Sequence, residues 1–319
     1  VMQPSEHKPQ SINMGTPPVL VIAFNRPAPT KEILMAVREA RPDRLFFACD
    51  GPRAHKPGEA ALVAGVRGLV CLVDWPCEVQ VRFPDSNLGC AVGVSSAISW
   101  FLEEVGEGII LEDDCLPTPA FFRFCATMLE RYRDDVRIGL VSGSKMAPSV
   151  DFGADYGFSR IFACWGWATW LRAWHGYQLH PSAVVPGETW QRNLHRKTVG
   201  NLSRAVADQK PDKAHTWDYQ CMLHLLRKDM LTVVPNRNLV LNIGFDGSGT
   251  HFGVNMRPWW VPRKSFDVQS TWVEAPPVRV SAAFDREFQA VAHGGCSKLF
   301  RSWLKWKRRI RSFFRPQEA

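Results

Sequence analysis

From Pro18 onward the chain alternates between short apolar runs and amphipathic stretches. PVLVIAFNRP is a continuous apolar run stopped by Asn25, Arg26 and Pro27, the pattern of a strand buried on both faces. Thr30 then reads as the N-cap of KEILMAVREA, whose Ile33, Leu34 and Val37 share one helical face. RLFFACDG is a second expected strand, ending in Asp50 and Gly51, and a helix follows to Val70. CEVQVRF is the third strand. Asn87, Leu88 and Gly89 introduce the helix AVGVSSAISWFLEE, and GIIL, the fourth strand, runs into the consecutive carboxylates Glu112, Asp113 and Asp114. Thr118 and Pro119 read as N-cap and first residue of the next helix.

This alternation, strand then helix four times over roughly the first 130 residues, predicts an α/β fold: a Rossmann-like, mostly parallel sheet with helices on both faces. Ligands of such sheets bind at the carboxyl ends of the strands. Each expected strand ends there in polar groups: Asn25 and Arg26, Asp50, Asp85 to Asn87, and Glu112 to Asp114. After Val141 the alternation fades into FACWGWATW, the helical TWDYQCMLHLLRKD, the strand LTVVPNRNLV and NIGFDGSGTHF. The expected organisation is a flexible leader over 1–17, one domain over 18–265 with halves 18–141 and 142–265, and an extension over 266–319. No internal repeat is present.

Composition narrows the function classes. The 319 residues, 45% hydrophobic and 22% charged, are those of a globular protein with a sizeable core. Of the net charge of +8, nearly all sits between Lys298 and Ala319, where eight basic residues stand against one acidic residue, Glu318. The rest of the chain is close to neutral and carries no binding motif, which argues against nucleic acid as a partner. Within 297–315 the apolar Leu299, Trp303, Trp306, Ile310 and Phe313 recur between cations at helical spacing. Such a basic amphipathic helix suits an anionic membrane surface, or else docks on the protein itself. Nine cysteines, without a CxxC pair, favour reduced thiols and a cytoplasmic setting and disfavour a zinc knuckle. No apolar run reaches the ~18 residues of a spanning helix, and no signal peptide pattern is present. The expected location is cytoplasmic, peripheral at the inner face of the cell membrane.

Three adjacent carboxylates raise one another's pKa and resist burial unless a cation is nearby. A hard divalent ion, Mg2+ or Mn2+, meets that need and keeps open positions for phosphate oxygens; the plainer reading is a solvated acidic turn favouring the next helix N-terminus. Arg26 suits a diphosphate or base carbonyl, and Asp50 a base N–H or ribose hydroxyl, although a surface pair and a simple turn explain them as well. Neither a P-loop nor a GxGxxG fingerprint is present.

Taken in order, Arg26 after VLVIA, Asp50 at a strand end, EDD followed by Pro and two Phe, a Gly-Trp segment and a Trp-Asp pair resemble GT-A glycosyltransferases. The string VLVIAFNRP, FFACDGPR, NLGC, SSAISWF, GIILEDDCLP, CWGWATW, TWDYQ and VPNRNLV is similar to a bacterial nucleotide-diphospho-sugar transferase family, and more distantly to N-acetylglucosaminyltransferase I. The resemblance spans Pro18 to His251. It implies a nucleotide-binding half over 18–141 and an acceptor-side half over 142–265. Asp114 would be the metal ligand, completed by His251, with Asp113 beside the ribose or donor sugar and Glu112 near the sugar. Asp50 would hold the uracil and Arg26 the nucleotide, with Asn87 capping a helix near it. Asp218 matches the catalytic base. Trp165 and Trp167 would offer aromatic faces and indole donors to a sugar, with Gly166 allowing close backbone approach; at least one indole of Trp165, Trp167 and Trp170 is expected to be core.

The chemistry this implies is inverting transfer of a sugar from a nucleotide diphosphate, such as UDP-GlcNAc, to a hydroxyl of a glycan, glycolipid or protein acceptor in surface polysaccharide or glycoconjugate synthesis. One carboxylate base suffices for a single displacement, whereas a covalent route needs a second as nucleophile. A sugar-1-phosphate nucleotidyltransferase shares the sheet and metal carboxylates but wants a glycine-rich loop where FNRPAPT stands. A catalytically inactive sugar-binding domain is the non-enzyme alternative.

Overall fold

The computed structural model describes residues 15–207, 216–245, 261–272, 274–292 and the single positions 302 and 306. Its first part is β1 (Val19–Ala23), α1 (Pro27–Ala40), β2 (Arg44–Cys49), α2 (Glu59–Gly68), β3 (Glu78–Arg82), α3 (Gly89–Val105) and β4 (Glu107–Glu112). There follow β5 (Cys115–Pro117), α4 (Pro119–Arg131), β6 (Ile138–Ser142), β7 (Tyr156–Ser159), β8 (Trp167–Trp170), α5 (Leu171–Trp174) and α6 (Arg196–Ala207). The last elements are α7 (Asp218–Arg227), β9 (Leu231–Pro235), β10 (Val240–Asn242) and α8 (Ala282–Ala292).

Eight strands form one mixed, mostly parallel sheet in the order β3-β2-β1-β4-β8-β6-β9-β7. Strands β3, β2, β1 and β4 are mutually parallel, so their carboxyl ends share one edge. Beyond β4 the direction reverses: β8 runs antiparallel to both β4 and β6, and β7 antiparallel to β9. Val19 and Val21 of β1 face a core layer with α1, α2 and α4, while Leu20 and Ile22 face the layer with α3, α6, α7 and α8. A strand covered on both faces must be apolar at every position, which is why VLVIA shows no alternation.

Several local differences from the sequence pattern have clear causes. Helix α1 starts at Pro27, whose fixed φ suits a first helical position, rather than after Thr30. Thr30 is buried inside the helix, its hydroxyl donating to the Arg26 carbonyl at 2.7 Å. Thr118 precedes α4 as expected but gives no side-chain cap; the Ala120 N–H is satisfied by Asp267 at 2.8 Å instead. LTVVPNRNLV divides into β9 and β10, because Pro235 has no N–H to continue the ladder and Asn236 and Asn238 turn inward to bond Lys145. Strand β7 and helices α5, α6 and α8 carry no pattern strong enough to have announced them.

Residues beyond 265, read from sequence as an extension, contribute to the same core. Trp272 is 2% exposed and packs edge-on to Phe124 at 5.3 Å. Helix α8 buries Phe284 and Phe288, and its polar Asp285 and Gln289 bond Ser159 at 2.6 Å and the His195 N–H at 2.7 Å. Most of the basic stretch 297–315 lies outside the described residues; Ser302 and Trp306 are helical and exposed. Among the described residues no helix is long and apolar enough to cross a membrane.

Because Phe284 is fully buried between Phe152 and Phe288, Phe284→Ala should cost about 3–5 kcal/mol of unfolding free energy. Urea denaturation measures this, and a loss below about 1 kcal/mol would show α8 to be dispensable to the core.

Candidate active site

The carboxyl edge of the parallel strands gathers the charged groups. Arg26 is the residue immediately before α1, held there by Pro27 behind it and by the Thr30 N–H and hydroxyl on its carbonyl. Since β1 pairs with β4 in the register Ile22 to Glu112, the chain leaving β1 runs beside the chain leaving β4. The guanidinium therefore reaches the acidic residues directly. Its Nε donates to Asp113 Oδ2 at 3.2 Å, and its Nη2 bonds both Asp113 Oδ1 and, at 3.1 Å, Asp114 Oδ2. All three side chains are largely withdrawn from water, with 15%, 7% and 20% exposure for Arg26, Asp113 and Asp114.

The trio is not a uniform acidic turn. The turn joining β4 to β5 buries Asp113 and leaves Asp114, like Glu112 at the end of β4, partly open. Asp114 leads into β5, whose antiparallel partner β10 passes close by: the Ile243 N–H donates to the Asp114 carbonyl at 2.8 Å, and the buried Asn242 amide lies 3.4 Å from Oδ1. Gly244 is needed there, because a Cβ would stand 2.4 Å from Asp114 Oδ2.

Asp218 joins this group from the other half of the chain. It is the first residue of α7, partly buried, and its carboxylate is one of the charges that raise Glu112. Glu112 is pushed well above the usual carboxylate range, chiefly by burial and then by Asp114, Asp113 and Asp218, with Arg26 opposing. Burial likewise raises Asp113 to about 6, although Arg26 and a main-chain hydrogen bond from Phe24 pull the other way. Arg26 itself is held protonated: burial disfavours its charge, but Asp113 and Asp114 outweigh that.

Other sequence-predicted residues fall in different places. The Asp50 carboxylate accepts from the N–H groups of Gly51, Leu88 and Gly89 and from the Asn87 amide, at 2.8 to 3.0 Å. It thus fastens the start of α3 to the end of β2, and Asn87 acts by bridging Asp50 and the Gly51 carbonyl rather than as a helix cap. Trp167 is 1% exposed, stacked on Trp217 at 5.5 Å, so its ring belongs to the core. Trp170 is also core, its indole donating to the Leu129 carbonyl. Gly166 makes room for Val240, 2.7 Å from where a Cβ would sit, with φ at +67°. Trp165 is partly exposed and meets Phe245 edge-on at 6.0 Å; Cys164 next to it feels Asp218, Glu112 and Asp114. His251 lies outside the described residues.

Sequence reading missed Asn242, Gly244, Cys164 and Cys90. Cys90 is exposed at the start of α3, yet the protein mass around its thiol and then the charges of Glu112, Asp218, Asp50 and Asp113 raise it, so the start of α3 lies near the acidic group. Nothing in the chain signals these four, since each matters only through β5–β10 pairing or the packing of α3 and α7.

Asp113 and Asp114 bond one guanidinium, with Glu112 and Asp218 near enough to interact, and carboxylate oxygens are the donors a hard cation takes. Arg26 Nη1 is buried without a partner among the described residues, a donor that calls for an anionic oxygen. Among the described residues alone, no group of three or more His, Cys, Asp and Glu side chains is arranged to hold a metal ion. Compared with known protein families and with curated proteins, the chain matches none.

Arg26→Met should destabilise the protein by about 3–5 kcal/mol at pH 8, since it strands a buried carboxylate. Asp113 binds its proton more tightly folded than unfolded, so ionising it already lowers stability as pH rises from about 4 to about 6. Removing Arg26 raises the folded pKa further, so the extra loss should be nearly absent at pH 5, begin near pH 6 and grow up to pH 8, as denaturation at pH 5 and pH 8 would reveal.

Proposed function

We propose that this protein is a metal-dependent, inverting glycosyltransferase of GT-A architecture that uses a nucleotide-diphosphate sugar, with a UDP-sugar such as UDP-GlcNAc as donor. The observation that carries the reading is the cluster of Glu112, Asp113, Asp114 and Arg26 at the carboxyl ends of parallel strands, with Asp218 close enough for its charge to raise Glu112. That edge, where the strand order reverses at β1 between β2 and β4, is where open α/β sheets bind ligands. The parallel order β3-β2-β1-β4 followed by reversed strands is compatible with the architecture that the sequence resembles.

Each residue then has a distinct task. Asp114, with His251 as a further ligand, would hold Mn2+ or Mg2+, which when bound neutralises charge on the departing diphosphate. Arg26 keeps Asp113 and Asp114 in place and adds positive charge at the same edge. Asp113 and Glu112 border the ribose and donor sugar. Asp50 and Asn87 shape the loop flanking the nucleotide instead of meeting it as free groups. Asp218 accepts the proton of the acceptor hydroxyl while that oxygen attacks the anomeric carbon. The bond to the diphosphate breaks on the opposite face, so the anomeric centre inverts. The acceptor is a glycan, glycolipid or protein hydroxyl of a surface polysaccharide or glycoconjugate, and the basic stretch 297–315 brings the enzyme to anionic membrane from the cytoplasmic side.

A thermal-shift screen of nucleotide sugars with Mn2+ should single out a UDP-sugar. Asp114→Asn should abolish Mn2+-dependent UDP binding in calorimetry, and an unchanged titration would refute its role. Asp218→Asn should retain donor binding yet lower transfer at least about a hundredfold; a fully active variant would remove it as the base.

A further inference from the structure

A groove of about 520 Å3 runs along the outer face of α3. Val92, Ser96, Ser99, Trp100 and Glu103 fall on one helical stripe, and Tyr177 stands across from them. A stripe facing only solvent is usually charged, and one facing a core is apolar. This one places hydroxyls beside an indole. That combination suits a sugar, whose ring faces pack on aromatic surface while its hydroxyls take hydrogen bonds.

The groove is built on fixed side chains. Trp100 is anchored edge-on to Phe46 with ring centroids 5.1 Å apart. Ser99 Oγ accepts the Trp174 indole N–H at 2.9 Å, leaving its own proton as a donor. Tyr177 stacks on Trp174 at 4.1 Å, and its hydroxyl donates to the Trp217 carbonyl at 3.2 Å, the residue before Asp218. Arg82, held by the Ser96 carbonyl at 2.8 Å, offsets Glu103, so the groove has no formal net charge.

One end of the groove lies near the acidic group, because Tyr177 bonds the carbonyl of the residue that precedes Asp218 and is close enough for its hydroxyl to feel the Asp218 charge. From Val92 to Glu103 the helix rises about 16 Å, long enough for several sugar rings. We infer that this groove binds the acceptor: a short, neutral oligosaccharide whose terminal hydroxyl lies at Asp218 and whose preceding rings lie along α3 against Trp100 and Tyr177. This rests on the glycosyltransferase reading for the reaction, but not for the binding itself.

The test titrates the full chain with tetrasaccharides of glucose, galactose, mannose and N-acetylglucosamine, followed by tryptophan fluorescence, with a parallel titration of UDP and Mn2+. At least one tetrasaccharide should bind. Val92→Trp and Ser96→Trp, two separate ways of filling the groove, should each weaken it by at least about tenfold, with UDP binding changed less than about twofold. Failure of every tetrasaccharide to bind a chain that binds UDP overturns the groove and leaves the donor site standing. Unchanged saccharide affinity in both variants, with melting curves showing them folded, overturns it too. Saccharide binding sensitive to both variants in a chain that ignores UDP supports the groove and sinks the donor reading.

Discussion

The arrangement depends on a single guanidinium bonded to Asp113 and Asp114, with the carboxylates of Glu112 and Asp218 nearby. Withdrawing carboxylates from water costs more than most contacts return, and each added like charge increases the cost. Here Asp113 lies beneath Arg26 and Glu112 is raised well above its ordinary range, so burial, not hydrogen bonding, dominates the acidic edge. One cation for so much negative charge leaves the group poorly satisfied. Arg26 can serve only because β1 and β4 are adjacent and parallel, so that the residues leaving both strands travel together.

The second half of the chain completes that edge. Strand β10 pairs with the short β5 and brings Asn242 and Gly244 against Asp114, and α7 delivers Asp218. Neither half alone contains the group. Helix α3 lies on the same side, fastened by Asp50 through the Asn87 to Gly89 loop, and it carries the groove away from Asp218. The same sheet edge thus links charge, candidate base and groove.

Tryptophan has been allotted in an unexpected way. The glycine-punctuated CWGWATW segment puts Trp167 and Trp170 into the core, where Trp167 stacks with Trp217 and its indole nitrogen finds no partner among the described residues. A stranded buried donor of this kind costs about 1–3 kcal/mol, which stacking and area burial must outweigh. The partly open aromatic rings include Trp165 of the same segment, Trp100 on α3 and Tyr177 beyond α5.

Local pattern sufficed for the first half of the fold. Continuous apolar strands separated by amphipathic helices require both faces of a parallel sheet to be covered, and the polar residues closing each strand, Arg26, Asp50 and Glu112 to Asp114, necessarily share an edge. What those residues touch was a different matter. Asp50 binds main-chain N–H groups of α3, Thr30 is a buried helical residue, and Trp167 is core, because hydrogen-bond partners and burial depend on elements far away in the chain. Residue type and periodicity along the chain determined which strands form and where charge collects. Only tertiary packing decided that Asp218, Gly244 and Tyr177 would meet that charge, since side chains a hundred residues apart become neighbours through sheet order and helix docking alone.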